Sequence, residues 1–327
     1  MTIYDIAKES KTSPASVSRY LNNIKIREET RKRIEAVLKK YDFKPNAVAR
    51  SLNSKSMRTI GILTVDIREP HYATTAYTFE QEFRKNGYNI IICNVLGSVD
   101  KVAEYIKKLL SYQVDGIAFI GSIFNILNEN LDILNLLKDI PVVIANGELT
   151  LPNSNSLFAA DGYGVELAVN HLYQKGRRNI YLLYDADTDS AKRKIQGFDI
   201  ALRRLGLDSL NKTLKVNKGI IGGIEGVEYI LSKYNDVDSF ICSEDIIAVG
   251  VIKKLRQLKT SIGKDIDVIG FNNTIYATMT YPTLTSIDTK PSLQATFLSE
   301  MLDKMIQGER DIVSISLKPE LVIRESA

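Results

Sequence analysis

Apolar positions follow two different rules along this chain. Over the first 45 residues they recur at spacings of three and four within otherwise polar sequence: Ile3, Ile6 and Ala7, then Val17 and Leu21, then Ile34, Val37 and Leu38. That period lines one face of a helix, so it predicts three short helices, at 2–9, from Pro14 to the neighbourhood of 21, and at 28–41. Ser13 is a natural N-cap for the second, and Pro14 sits at the first helical position, where a missing N–H costs nothing. From Thr59 onward the rule changes. Short unbroken apolar runs (TIGILTVDI, YNIIICNV, VDGIAFIG, PVVIANG, RNIYLLYD, SFICS, DIDVIGFN) alternate with longer amphipathic stretches at 73–86, 99–112, 125–138, 162–175, 190–205, 220–234 and 246–258. A last helix at 291–307 and a last strand, SISLKPELVIRES, close the chain. Strands alternating with helices predict an α/β body with parallel, doubly wound sheets behind an all-α N-terminal domain.

The first two helices form a helix, short polar turn and helix. Val17 and Leu21 give the second helix its buried face, which leaves Pro14, Ala15, Ser16, Ser18, Arg19 and Asn22 pointing outward. Small, polar and basic residues at the exposed start of a short helix suit a DNA major groove. The segment after Pro45, NAVARSLNS, is long enough for two helical turns and too polar to stand alone in water.

Charge sharpens this picture. The whole chain carries a net +4, but residues 1–58 hold 14 Lys/Arg against 6 Asp/Glu, and the remainder is mildly acidic. A basic head on an acidic body points to a polyanion partner for the head alone.

These residues carry a resemblance. IYDIAKESKTSPASVSRYLN resembles the helix-turn-helix of the lac-repressor (LacI/GalR) family, whose pattern is close to TIxDVAxxAGVSxxTVSRVLN. Val17-Ser18-Arg19 and Leu21-Asn22 match directly. Glu29-Thr30-Arg31, Tyr41 to Asn46 and Ala49-Arg50-Ser51-Leu52 match the rest of the headpiece, and the likeness runs on to the C-terminus. It implies a helix-turn-helix domain at 1–45, a hinge helix and linker at 46–58, and a ligand-binding and dimerisation body at 59–327. The body would be a two-lobed, type I periplasmic-binding-protein-like fold, with an N-lobe of about 59–158 and 289–319 and a C-lobe of about 159–288 and 320–327.

On the family's pattern the DNA-binding residues are Thr12, Ser13, Pro14, Ala15, Ser16, Ser18, Arg19 and Asn22 in the headpiece. Asn46, Ala49, Arg50, Leu52 and Lys55 join them from the hinge. Arg19 is the candidate for a base contact. Leu52 matches the leucine that wedges into the minor groove, where the cost of unstacking is offset by contacts on the bent duplex.

Ligands of parallel α/β folds bind at the carboxyl ends of strands. Here those ends carry DIREPHY (66–72), Asn146, 185–194, Ser243-Glu244-Asp245 and Asn272-Asn273. Polar groups from five strand ends suit a hydroxyl-rich small molecule. The family resemblance narrows the ligand set to His71, Tyr72, Asn146, Arg193, Lys194, Ile221, Glu244 and Asn272. Lys194 stands where the family often has an arginine, Glu244 where it has Asn, Asn272 where it often has Asp, and Ile221 where an aromatic often stacks on the ligand. A Glu244–Lys194 pair would suit a neutral or zwitterionic polyol; Lys194 with Arg193 would suit a phosphorylated sugar.

Other functions find little support. No GxGxxG follows a strand, and no P-loop, GxSxG or HExxH occurs. His71 and His171 have no catalytic neighbours in sequence. No metal or other cofactor is implied, and Cys93 and Cys242, each in an apolar strand, read as buried free thiols. The start lacks a signal peptide and no apolar run is long enough to span a membrane, so a cytoplasmic protein is expected. The expected function is a ligand-responsive transcriptional regulator, a repressor of carbohydrate-utilisation genes released by a sugar inducer. The alternative is a repressor that needs a corepressor, such as a purine, or a protein partner. Its partners would be a pseudo-palindromic double-stranded DNA operator, the small molecule and a second copy of itself. The dimer contacts would lie on the 73–86 helix and the VDGIAFIG region, with no leucine-heptad tail of the kind that makes tetramers.

Overall fold

The computed structural model describes residues 2–21, 25–41, 56–96 and 98–327. It divides into two compact units, 1–59 and 60–327.

The first unit holds α1 (Ile3–Glu9), α2 (Pro14–Leu21) and α3 (Glu28–Lys40). Each end is set by a local device. The Asp5 N–H donates to Thr2 Oγ1 at 3.3 Å and the Thr2 N–H to Asp5 Oδ2 at 2.7 Å, a capping box that starts α1. Ser13 caps α2 as its sequence predicts: its Oγ accepts the Ser16 N–H at 3.1 Å. Between them Lys11 turns the chain at φ +50°, in the left-handed region. The core is small. Ile6, Ala7, Val17, Ile34 and Val37 are buried together, flanked by Ile3, Tyr20, Leu21, Ile26 and Leu38. The Tyr20 hydroxyl donates to Glu35, which Arg31 also holds, so α2 is tied to α3 at its edge. Asn22 and the whole of 46–54 lie outside the described residues.

The second unit is built on two six-stranded sheets. In chain order its elements are β1 (Thr59–Thr64), α4 (Pro70–Lys85), β2 (Asn89–Asn94), α5 (Val99–Ser111), β3 (Gly116–Ile120), a 3-10 helix (Ser122–Glu129), α6 (Leu131–Leu137), β4 (Val142–Ala145) and β5 (Ser154–Ala159). There follow α7 (Asp161–Gln174), β6 (Ile180–Tyr184), α8 (Asp189–Arg204), β7 (Thr213–Lys215), α9 (Gly219–Lys233), β8 (Ser239–Cys242), α10 (Asp245–Gln257), β9 (Asp267–Phe271), α11 (Ile275–Met279) and β10 (Thr285–Asp288). The chain closes with α12 (Pro291–Ile306), β11 (Ser314–Leu317) and β12 (Glu320–Val322).

The first sheet runs β11-β5-β4-β3-β1-β2 and the second β12-β10-β9-β8-β6-β7. β1 pairs parallel with β3, β3 with β4, β4 with β5 and β5 with β11; in the second sheet only β12 runs antiparallel, against β10. Central strands such as β3, β4, β8 and β9 are buried at every position, which is why they read as unbroken apolar runs. Helices cover both faces. α4 and α12 bury Phe79, Phe83, Leu298 and Leu302 on one face of the first sheet, while α5 and α6 bury Ile106, Leu109 and Ile133 on the other. On the second sheet, α7 and α8 supply Val165, Val169, Phe198 and Leu202; α9 and α10 supply Val227, Ile230, Val251 and Leu255. Cys93 and Cys242 are buried free thiols, as expected. The chain passes between the lobes three times, at Ala159–Asp161, Asp288–Pro291 and Leu317–Glu320.

Two expectations are corrected. The 125–138 stretch is not one helix: a 3-10 helix gives way to α6 at Asn130, whose side-chain oxygen accepts the Ile133 N–H at 3.1 Å and starts a new helix. SISLKPELVIRES is not one strand either. Lys318-Pro319 divides it into β11 in the first sheet and β12 in the second, proline being unable to donate within a ladder.

Candidate functional site

Two groups of residues carry the chemistry, one in each unit. On α2, Ser13, Pro14, Ala15 and Arg19 are exposed, while Thr12, Ser16 and Ser18 are half-buried. The hydroxyls that open the helix are partly committed to the turn. Thr12 Oγ1 lies 2.9 Å from the buried Ser10 Oγ, and Ser13 Oγ lies 2.9 Å from Ser16 Oγ. Arg19, by contrast, makes no hydrogen bond or ion pair with any described residue, so its guanidinium is available to an outside acceptor. Asn22, Asn46, Ala49, Arg50, Leu52 and Lys55 lie outside the described residues.

In the body, the ends of β1, β8 and β9 meet across the two lobes. Glu69, Pro70, His71 and Tyr72 at the start of α4 face Glu244, Asp245, Ile246, Asn272, Thr274 and Tyr276 around a cavity of about 10 Å³, room for about one water. A wider pocket of about 390 Å³ shares His71 and Asn272 with it and continues past Thr74, Asn273 and Ile275 to the crossover residues Asp288, Lys290 and Pro291. That is within the usual size range of a small-molecule site. The structure therefore brings His71, Tyr72, Glu244 and Asn272 together, as the strand-end rule expects.

His71 is 9% exposed and its Nδ1 has no partner. Burial and the nearby Lys194 charge push its pKa down to about 4, so the ring is neutral. It meets Tyr72 edge-on, ring centroids 5.4 Å apart. Burial and surrounding carboxylates raise the Tyr72 phenol well above its ordinary value. Glu244, the N-cap of α10, is pushed up to about 7 by burial, with Asp185 adding to the rise and Lys194 opposing it. Burial also raises Asp185 and Glu69. Asp245 is pushed up to about 6 by burial, against the pull of its own donors: Ser286 Oγ at 2.6 Å, the Thr274 N–H at 2.5 Å and Thr274 Oγ1 at 2.8 Å. Asp245 is thus spent on joining α10 to the loop after β9.

Lys194 is buried on α8. Its ammonium donates to the Ser243 carbonyl at 2.9 Å and lies 3.9 Å from the centroid of the Phe271 ring. It forms no ion pair with Glu244, so the pair anticipated from sequence acts through space and not by contact. Arg193 is a correction. Its guanidinium donates twice to the buried Asp161, at 3.1 and 2.8 Å, and stacks over Phe158. Adjacent helix positions point about 100° apart, and Arg193 and Lys194 hold different partners, Asp161 and the Ser243 carbonyl, so the two do not form a shared clamp here. Ile221, on the first turn of α9, is 64% exposed and stands outside the cavity lining. Asn146 ends β4 at φ +60°; its N–H donates to Leu157 O, and its side-chain oxygen is buried without a partner.

Glu69, Thr274 and Tyr276 also line the cavity, and no sequence pattern singles them out. Glu69 lies within DIREPHY, but Thr274 caps and Tyr276 sits on α11, a helix of five residues, too short to leave a period. Among the described residues no group of three or more His, Cys, Asp or Glu is placed to hold a metal ion, and no helix is long and apolar enough to cross a membrane.

Comparison with known proteins agrees with both halves. Residues 2–46 match the bacterial regulatory proteins of the lacI family, and residues 169–327 match a periplasmic binding protein-like domain. An HTH-type transcriptional regulator of Lachnoclostridium phytofermentans is 30% identical over 338 aligned positions, covering 100% of this chain and 99% of that protein. The fold is that of the lac repressor dimer bound to operator and an anti-inducer (TM-score 0.88, 21% identity, 100% of this chain and 98% of the other). A LacI family regulator from Enterococcus faecium with bound ribose has the same body fold (TM-score 0.72, 24% identity, 82% of this chain and 98% of the other). With its capped helix-turn-helix and two-sheet body, the chain belongs to the lacI family of bacterial transcriptional regulators.

Proposed function

We propose that this protein is a repressor that binds an operator as a homodimer and is released by a hydroxyl-rich small molecule, a sugar, seated between the lobes of its body. Residues 1–45 read the DNA, 46–58 form the hinge, and 59–327 bind the ligand and the second copy. The observation that carries the reading is the cleft. His71, Tyr72, Glu244 and Asn272 converge there from both lobes, so a ligand that touches all four favours one lobe arrangement over another. Such a ligand shifts operator affinity only by its differential affinity for the two arrangements. The ribose-bound relative with the same body fold supports a sugar, and the operator-bound dimer supports the mode of DNA binding.

The test uses the full-length protein. Operator sequences are selected from a random duplex library, and binding to the winners is then titrated with and without a panel of sugars, sugar phosphates and purines. A pseudo-palindromic consensus whose affinity falls at least tenfold with a sugar supports the reading. Affinity that rises with the ligand makes the molecule a corepressor and overturns the release by inducer. Selection that yields no consensus overturns the operator reading itself.

A further inference from the structure

Charge in the cleft is out of balance. Glu69 and Glu244 line the small cavity from opposite lobes, and Asp185, at the end of β6, is close enough to raise both. Neither the Glu69 nor the Glu244 carboxylate makes a hydrogen bond or ion pair with any described residue. Asp245 differs, having three donors of its own. The buried cation nearby, Lys194, donates a hydrogen bond to the Ser243 carbonyl and lies over the Phe271 ring, so it offsets Glu244 and Asp185 only through space and pairs with neither, and the exposed Lys218 likewise acts at a distance. Two half-buried carboxylates are thus left facing each other without a donor. Burying charge without a partner is costly, and like charges in one site cannot both ionise freely. That cost shows in the upward shift of Glu69, Asp185 and Glu244 together.

A second observation, independent of the acids, marks the same place as a binding site. His71 is 9% exposed, lines both the small cavity and the wider pocket beside it, and has an Nδ1 with no partner. As a neutral ring it can accept from or donate to a hydroxyl, and Asn272, shared by the same two spaces, offers both functions as well.

We infer that the ligand is a polyhydroxylated molecule bearing a primary ammonium group, an amino sugar in chemical class, whose ammonium sits between Glu244 and Glu69. Its hydroxyls extend past His71 and Asn272 into the wider pocket. The inference rests on the sugar-responsive reading above and names the ligand class of that site. An ammonium supplies three donors to two acceptor-only groups, and it cancels the repulsion that Asp185 adds. A neutral sugar would leave the carboxylate repulsion in place, and an acidic or phosphorylated one would increase it.

The test pairs each neutral hexose with its 2-amino and 2-acetamido counterparts: glucose, galactose and mannose against glucosamine, galactosamine and mannosamine, and against their N-acetyl forms. Binding to the full-length protein is followed by calorimetry at pH 7.5. At least one amine should bind ten times tighter or more than both its neutral and its acetylated partner. E244Q should shrink that ratio towards one, and E69Q should shrink it in a separate protein, so that one misfolded variant does not decide the result. A neutral hexose binding as tightly as its amine overturns the amine assignment and leaves the sugar-responsive regulator standing. If none of the nine sugars binds, both the assignment and the sugar reading fall.

Discussion

Gly197 lies against Gly162: a Cβ on Gly197 would stand 2.4 Å from the Gly162 Cα and carbonyl oxygen. Here α8 and α7 touch backbone to backbone. A helical glycine gives up about 1 kcal/mol against alanine, so Gly197 is explained by the approach it permits. Lys194 sits one turn before it on α8, so this contact sets how far the lysine reaches towards β8. Gly197→Ala should lower the stability of the body by about 1–3 kcal/mol through overpacking, and it should weaken ligand binding as Lys194 is displaced. Calorimetric unfolding and a ligand titration check the two effects.

Arg193 and Lys194 should separate cleanly in mutants. Arg193→Met leaves the buried Asp161 carboxylate without its partner. The expected loss is about 3–5 kcal/mol of stability, with ligand affinity unchanged in the fraction that remains folded. An affinity loss at full stability would return Arg193 to the cleft.

Glu244 makes the body's stability fall as pH rises. Its carboxyl titrates near 7 in the fold, against an ordinary value of 4.5, under the influence of Asp185, Glu69, Asp245 and Lys194. Between those two values the folded state holds a proton that the unfolded state has released, so stability declines through that window and the penalty is complete above it. Glu244→Gln removes the effect. The melting temperature of the variant should match the wild type near pH 4.5 and exceed it by a few degrees at pH 8, since about 1 kcal/mol moves a domain of this size by about 2–4 °C. A constant gap across the range would assign the change to packing.

Lys11 holds a left-handed turn between α1 and α2, where the family pattern has glycine. An L-residue there costs about 1–2 kcal/mol, of which glycine gives back part as chain entropy. Lys11→Gly should stabilise the headpiece by about 0.5–1 kcal/mol, read as slower hydrogen exchange of the buried amides at Val17 and Ile34.

Arg19→Ala should cost about 1–3 kcal/mol of operator affinity and relax the preference at one base pair. The check is a titration over single-base operator variants. An equal loss on all of them would make Arg19 a phosphate contact.

Much of this architecture was open to reading because it is written in periodicity. The buried central strands announce themselves as IGILT, GIAFI and DVIGF, and the helices between them keep their amphipathic spacing to within a few residues. What escaped was short or polar. β5 carries Ser154, Asn155 and Ser156 in its buried half; the Val313 N–H donates to Asn155 Oδ1 at 2.7 Å, while Ser154 Oγ is buried without a partner. No apolar run marks such a strand. In the cleft, strand ends named the segments, but side-chain direction decided membership. Asp245 and Glu244 are adjacent, yet one is consumed by Thr274 and Ser286 while the other faces the cavity without a donor. That division depends on α11 and β10, neither of which has a legible pattern.

The three passages between lobes also govern how the protein must be made. The core around Phe79 and Phe83 is completed by Leu298 and Leu302 of α12, and the sheet beyond β5 is completed by β11. A ribosome that has just released Ala159 has therefore delivered only part of the first lobe. At about 5–20 residues per second, the missing strand follows some 8–30 s later. Until then the β5 edge and the apolar face awaiting α12 stand open, while the intervening second lobe has time to assemble nearly all its own sheet. The lobe begun first is thus the one finished late, and a nascent chain stalled between 160 and 290 would be the form most in need of a chaperone.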